Sequence, residues 1–127
     1  MNQEQFSALM ERARAKYDAG QKEHGGLLIH RDCLAELEAE LIDAWFYYQA
    51  NAIKRNFALV ASPELIREES IRRAGHADFQ ITKAGNEECI APRISMIEYH
   101  LYAVLDLVVQ ERARQAENLR AINGQGV

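Results

Sequence analysis

Three carboxylates, Glu36, Glu40 and Asp43, recur at i, i+4 and i+7 within the stretch AELEAELIDAWFYYQ, residues 35–49. On a helix that spacing puts them on one narrow face. Tyr47 continues the row, and Glu38 lies well round the helix, where solvation is expected. Like charges at i, i+4 cost a helix about 0.2–0.5 kcal/mol per pair. No Lys or Arg stands between Arg31 and Lys54 to offset them. A hard cation is one answer, because Mg²⁺ takes oxygen ligands from carboxylates and substrate phosphates. A plain solvated acidic face is the other. The row is expected to adjoin the apolar stripe of Leu37, Leu41 and Ala44. Two further acids, Glu98 and Asp106, interrupt the apolar stretch ISMIEYHLYAVLDLVV. Each needs solvent, a partner or a metal. They are either ligands from a second helix or polar positions flanking its stripe.

Basic groups gather upstream. Lys16, Lys22 and Arg31 flank the His24-Gly25-Gly26 loop and are candidates for holding phosphate oxygens, or are ordinary surface charge. Trp45, Tyr47 and Tyr48 suit the core, a subunit contact or stacking on a base. His24, His30, Cys33 and Cys89 include zinc-ligand types, but no CxxC or HExxH spacing supports a zinc site.

The elements that must position these groups read as helices. Phe6, Leu9, Met10, Ala13 and Tyr17 form one stripe, with Gly20 as its expected stop. Residues 21–32 read as a loop, since glycine in a helix interior costs about 1 kcal/mol. Asp32 is the expected cap of a second helix running to about Ala61, about 42 Å long. Ser62-Pro63-Glu64 starts a third, short helix ending near Gly75. From His76 to Pro92 the pattern fades, Phe79–Thr82 reading as a short extended piece and Ala84-Gly85-Asn86 as a turn. A last helix is expected from about Arg93 to about Ile122, with the tail frayed. The fold class is therefore all-α: a bundle of two long and two shorter helices in a single domain over 1–127.

The 127 residues are 48% hydrophobic, with a net charge of −4. That balance argues against a nucleic-acid binder driven by bulk charge. Two cysteines make no disulfide framework, so a reduced, cytoplasmic setting is expected. No apolar run approaches the roughly 20 residues that span a bilayer.

The string KYDAGQKEHGGLLIHRDCLAELEAELIDAWFYYQ, residues 16–49, resembles MazG-like nucleotide pyrophosphohydrolases, most closely the short single-domain forms of phages and bacteria. The likeness lies in the HGG loop and the long helix with an acidic row and an ELxDAxxYY ending, about a quarter of the chain. It implies an all-α homodimer or homotetramer, Mg²⁺ or Mn²⁺, and cleavage of a nucleoside triphosphate to monophosphate and pyrophosphate. It implies catalytic and metal-binding roles for Glu36, Glu40 and Asp43. Substrate contacts are expected from Lys16, Lys22, His24, Arg31 and Tyr47. Phage-type members suggest a deoxynucleotide-pool role, with dATP or dGTP as candidate substrates. Glu40-Leu41-Ile42-Asp43 matches the family's ExxD. Ala39 breaks its EExxE, and Arg67 stands where a second acid belongs downstream of Glu64. The metal set is then either rearranged, with Glu98 or Asp106 contributing, or incomplete. The alternative is a non-enzymatic helical adaptor or small phage regulator with an acidic partner-binding face.

Overall fold

The computed structural model describes residues 1–57, 62–82 and 93–125. Among them every regular element is helical. Four α-helices follow in order: α1 Gln3–His24, α2 Cys33–Phe57, α3 Pro63–Thr82 and α4 Met96–Gln125, with a single 3₁₀ turn at Leu28–His30. The chain separates into two compact units, Met1–Cys33 and Leu34–Val127. No linker marks that division in the sequence.

In the first unit, α1 opens on a reciprocal cap. The Asn2 side chain accepts from the Gln5 amide N–H, and the Gln5 side chain accepts from that of Asn2, both at 2.8 Å. This satisfies two of the orphan donors of the first turn. The helix does not stop at Gly20, which sits inside it. It stops one turn later, at Gly25, where φ is +65°. Gly26 follows at φ +70°. Two successive positive φ values are open to glycine and strained for other residues. Gly25 N–H still reaches the Gln21 carbonyl at 2.8 Å, so the last turn is closed before the chain reverses. The first third of the expected loop over 21–32 is thus helical, and a 3₁₀ turn lies in the rest.

In the second unit, α2, α3 and α4 pack on one another. The contact face of α2 is Trp45, Gln49 and Ile53, all buried. Trp45 donates its indole N–H to the Ser70 carbonyl of α3 at 2.9 Å. Its ring meets Tyr102 of α4 edge-on, with centroids 6.1 Å apart. Ser70 and Ala77 of α3 are completely buried, and Val108 of α4 completes the apolar core among the described residues.

Two sequence expectations for α3 fail here. The helix does not end near Gly75, and Phe79–Thr82 are helical rather than extended. The roughly 1 kcal/mol cost of Gly75 is outweighed on both sides. Arg73 pairs with Glu98 before it. After it come buried Ala77 and an Asp78 that accepts the Tyr102 hydroxyl at 2.5 Å. Residues 83–92, with the turn expected at Ala84–Asn86 and the zinc candidate Cys89, lie outside the described residues, as do 58–61 at the end of the second predicted helix.

Helix α4 starts at Met96 rather than near Arg93. Ser95 is its cap: Ser95 Oγ accepts from the Glu98 N–H at 3.1 Å, and Glu98 accepts from the Ser95 N–H at 2.8 Å. Ser-Met-Ile-Glu is a capping box. Among the described residues, no helix is long and apolar enough to cross a membrane.

Candidate functional site

At 3.6 residues per turn, Glu36, Glu40, Asp43 and Tyr47 fall within about 60° of one another on α2. Glu40 and Asp43 are exposed, and Tyr47 is 77% exposed. Glu36 is half-buried. The row does not flank the core as expected. It lies about 150° round the helix from Trp45, Gln49 and Ile53. Leu37, between the row and the buried face, is itself 43% exposed. The stripe that packs was hidden by its polar member, Gln49.

Glu38 is only partly solvated. It is half-buried and takes an ion pair from Arg112 of α4 at 2.5 Å. A cation from α4 thus reaches a neighbour of the row.

Glu98 is 4% exposed. Its Oε1 accepts from Arg73 Nη2 at 2.7 Å and Ser95 N–H at 2.8 Å. Its Oε2 accepts from Gln49 Nε2 at 2.7 Å and Arg73 Nε at 3.0 Å. A carboxylate offers about four lone-pair sites, and all four are used. Burial pushes the carboxyl pKa up. The bonds from Arg73, Ser95 and Gln49 outweigh burial and bring it down to about 2. Glu98 is therefore an ionised structural group with no lone pair left for a cation. Asp106 is half-buried and accepts from Gln110 Nε2 of its own helix at 2.9 Å. Among the described residues, no group of three or more His, Cys, Asp or Glu is arranged to hold a metal. The carboxylates described in one chain thus do not by themselves form a closed metal centre.

In the first unit, three of the basic candidates come together. Lys16, His24 and Arg31 line one cleft of about 140 Å³, with Tyr17 and Gln21 beside them. Lys16, Gly20 and His24 share a face of α1 at i, i+4 and i+8. The Gly25-Gly26 reversal and the 3₁₀ turn bring Arg31 back to that face. The turn is held by Gln21 Nε2 on the Gly26 carbonyl. His30 N–H on the Leu27 carbonyl, at 3.0 Å, and Arg31 N–H on the Leu28 carbonyl, at 3.1 Å, close it. Two permanent cations and an imidazole round a small cleft suit a phosphate-sized anion. Lys22 is exposed and does not line it. Tyr17 and Gln21 were missed in the sequence, although their i, i+4 relation on the same helix was readable.

No family model, curated protein or solved structure matches the chain.

Proposed function

We propose that this protein is a nucleoside triphosphate pyrophosphohydrolase. Water attacks the α-phosphorus, the α–β anhydride bond breaks, and monophosphate and pyrophosphate leave. The observation that carries the reading is the cleft where Lys16, His24 and Arg31 converge, three of the residues expected to contact the substrate. The likeness of residues 16–49 to MazG-like enzymes supports it, with dATP and dGTP as first candidate substrates. Glu36, Glu40 and Asp43 are the proposed catalytic and metal-facing carboxylates. Because the described residues of one chain do not close a metal centre, the row would be completed in a homodimer or homotetramer. Mg²⁺ or Mn²⁺ bound there would neutralise phosphate charge.

One observation favours an adaptor instead: the acidic row points away from the packed face of α2, as a partner-binding strip would. Turnover separates the two. Each common ribo- and deoxynucleoside triphosphate is incubated with Mg²⁺ or Mn²⁺ and the products separated by anion exchange, with Asp43→Ala, Glu40→Ala and Arg31→Ala in parallel. Monophosphate plus pyrophosphate from the wild type, lost in the variants, supports the enzyme. Diphosphate plus phosphate overturns the choice of bond. No turnover by folded, metal-supplemented protein overturns the enzyme and leaves the adaptor.

A further inference from the structure

A second cavity, of about 240 Å³, lies within the second unit, lined by Gln49, Ile53, Asn56, Glu69, Arg73 and Glu98. Gln49 and Glu98 are 3% and 4% exposed, and the Arg73 side chain is 17% exposed. Burying an ion pair and an amide is an expensive way to fill a small core. Apolar residues of similar volume commonly do as well or better. Polar side chains held in that way beside a cavity mark a candidate binding site.

The lining specifies the chemistry of the occupant. Charges cancel: Arg73 faces Glu98, and Glu69 is matched by Arg72, whose Nε donates to it at 2.9 Å. A charged ligand would lose its hydration without gaining an unmatched counter-charge. Two amides remain. Gln49 spends one N–H on Glu98, at 2.7 Å. Asn56 spends one on the Ala52 carbonyl, at 3.0 Å. A primary amide carries two N–H donors and a carbonyl, so each brings a further donor beside an acceptor. Asn and Gln amides read planar heterocycles through such paired edges. Ile53 supplies an apolar wall. The volume falls below the roughly 300–1,000 Å³ of pockets for drug-sized ligands, which limits the guest to one or two rings.

We propose that this cavity binds a small, neutral, planar heterocycle presenting an adjacent donor and acceptor, the edge a nucleobase offers. The site is separate from the acidic row, which lies on the opposite side of α2, and it stands whether or not the chain hydrolyses nucleotides.

The test is a ¹H–¹⁵N NMR titration of the full chain with uracil and with adenine, using acetate and methylguanidinium as charged controls. Saturable shifts of the Gln49 and Asn56 side-chain NH₂ signals with either base, and not with the ions, support the site. Asn56 is exposed, so Asn56→Leu leaves the fold intact. It weakens binding about fivefold or more, the worth of one hydrogen bond, while Glu40→Ala binds as wild type. The proposal is overturned by silence at both amides up to the solubility of the bases. It is equally overturned by an equal response to the ions, or by undiminished binding in Asn56→Leu.

Discussion

Replacing Glu98 by Gln removes one charge from the most heavily bonded side chain described in the second unit. The carboxylate accepts four hydrogen bonds, two of them from Arg73. An amide keeps one acceptor oxygen and turns an NH₂ toward two donors, leaving Arg73 without a counter-charge. Two estimates of the cost agree. A carboxyl whose pKa falls from 4.5 to about 2 on folding contributes about 3 kcal/mol at neutral pH, at about 1.4 kcal/mol per pKa unit. Removing one partner of a buried ion pair costs about 3–5 kcal/mol. With a urea slope of about 1–2 kcal/mol per M, the unfolding midpoint at pH 7 drops by about 1.5–3 M. The pH dependence carries the sharper test. A depressed carboxyl stabilises the native state fully above its unfolded pKa, and that stability fades as pH falls through the folded one. The gap between wild type and Glu98→Gln should therefore be constant above about pH 5 and close between about pH 4.5 and 2. Urea titrations followed by Trp45 fluorescence at half-unit pH intervals measure it. A midpoint change under about 0.5 M at pH 7, or a gap that stays constant down to pH 2, would refute the reasoning. The double variant Arg73→Met/Glu98→Leu should recover most of the loss, since it leaves no charge buried.

Other substitutions separate the remaining contributions. Glu38→Gln should cost only about 0.5–1 kcal/mol in urea denaturation, because its pair with Arg112 is partly solvated, the side chains being 25% and 39% exposed. Trp45→Phe keeps a ring but loses the second hydrogen bond to the Ser70 carbonyl and leaves a void; about 1–3 kcal/mol should be lost by the same assay. Gly25→Ala places a Cβ at φ +65°. About 1 kcal/mol of local strain should show as faster hydrogen exchange in the last turn of α1. Glu40→Ala and Asp43→Ala, both at exposed positions, should shift stability by no more than about 0.5 kcal/mol, so loss of turnover in them reports on chemistry and not on folding.

The helices were legible in the sequence because apolar spacing survives single exceptions; their limits were not. Gly20 and Gly75 each looked like a stop. A lone glycine costs a helix about 1 kcal/mol, less than the contacts made by the turns that follow. Gly25 differs in that its neighbour is also glycine, so the chain can hold two positive φ values in succession. The start of α4 is readable as Ser-Met-Ile-Glu, yet within an apolar stretch Glu98 reads as a metal ligand or a flanking polar position before it reads as a capping partner. The orientation of the acidic row was harder. The stripe of Leu37, Leu41 and Ala44 marks only the half-buried to exposed margin of the packed face, because the buried face includes Gln49 and hydrophobic periodicity does not count a glutamine as core. The partners of Gln49 are Glu98 and, through it, Arg73, 49 and 24 residues away, and no local pattern joins them. The cleft of Lys16, His24 and Arg31 was half legible: two of its members share a helix face, and the third depends on a reversal whose geometry only the backbone reveals.

Helix α4 runs 30 residues, about 45 Å, and every position described after Arg112 is exposed. Its C-terminal third is stabilised by its own turns, with Arg114 paired to Glu111 one turn earlier. A segment of about 13 residues with no packing is near the length at which an isolated helix is marginal in water. Unfolding of this chain is therefore graded along one helix. Amides near Val108 exchange only with the core that holds Trp45, whereas those past Ala116 exchange by local fraying at far lower free energy. Circular dichroism and the single tryptophan would then trace different melting curves, and helical signal would begin to fall while the interior around Trp45 is still closed.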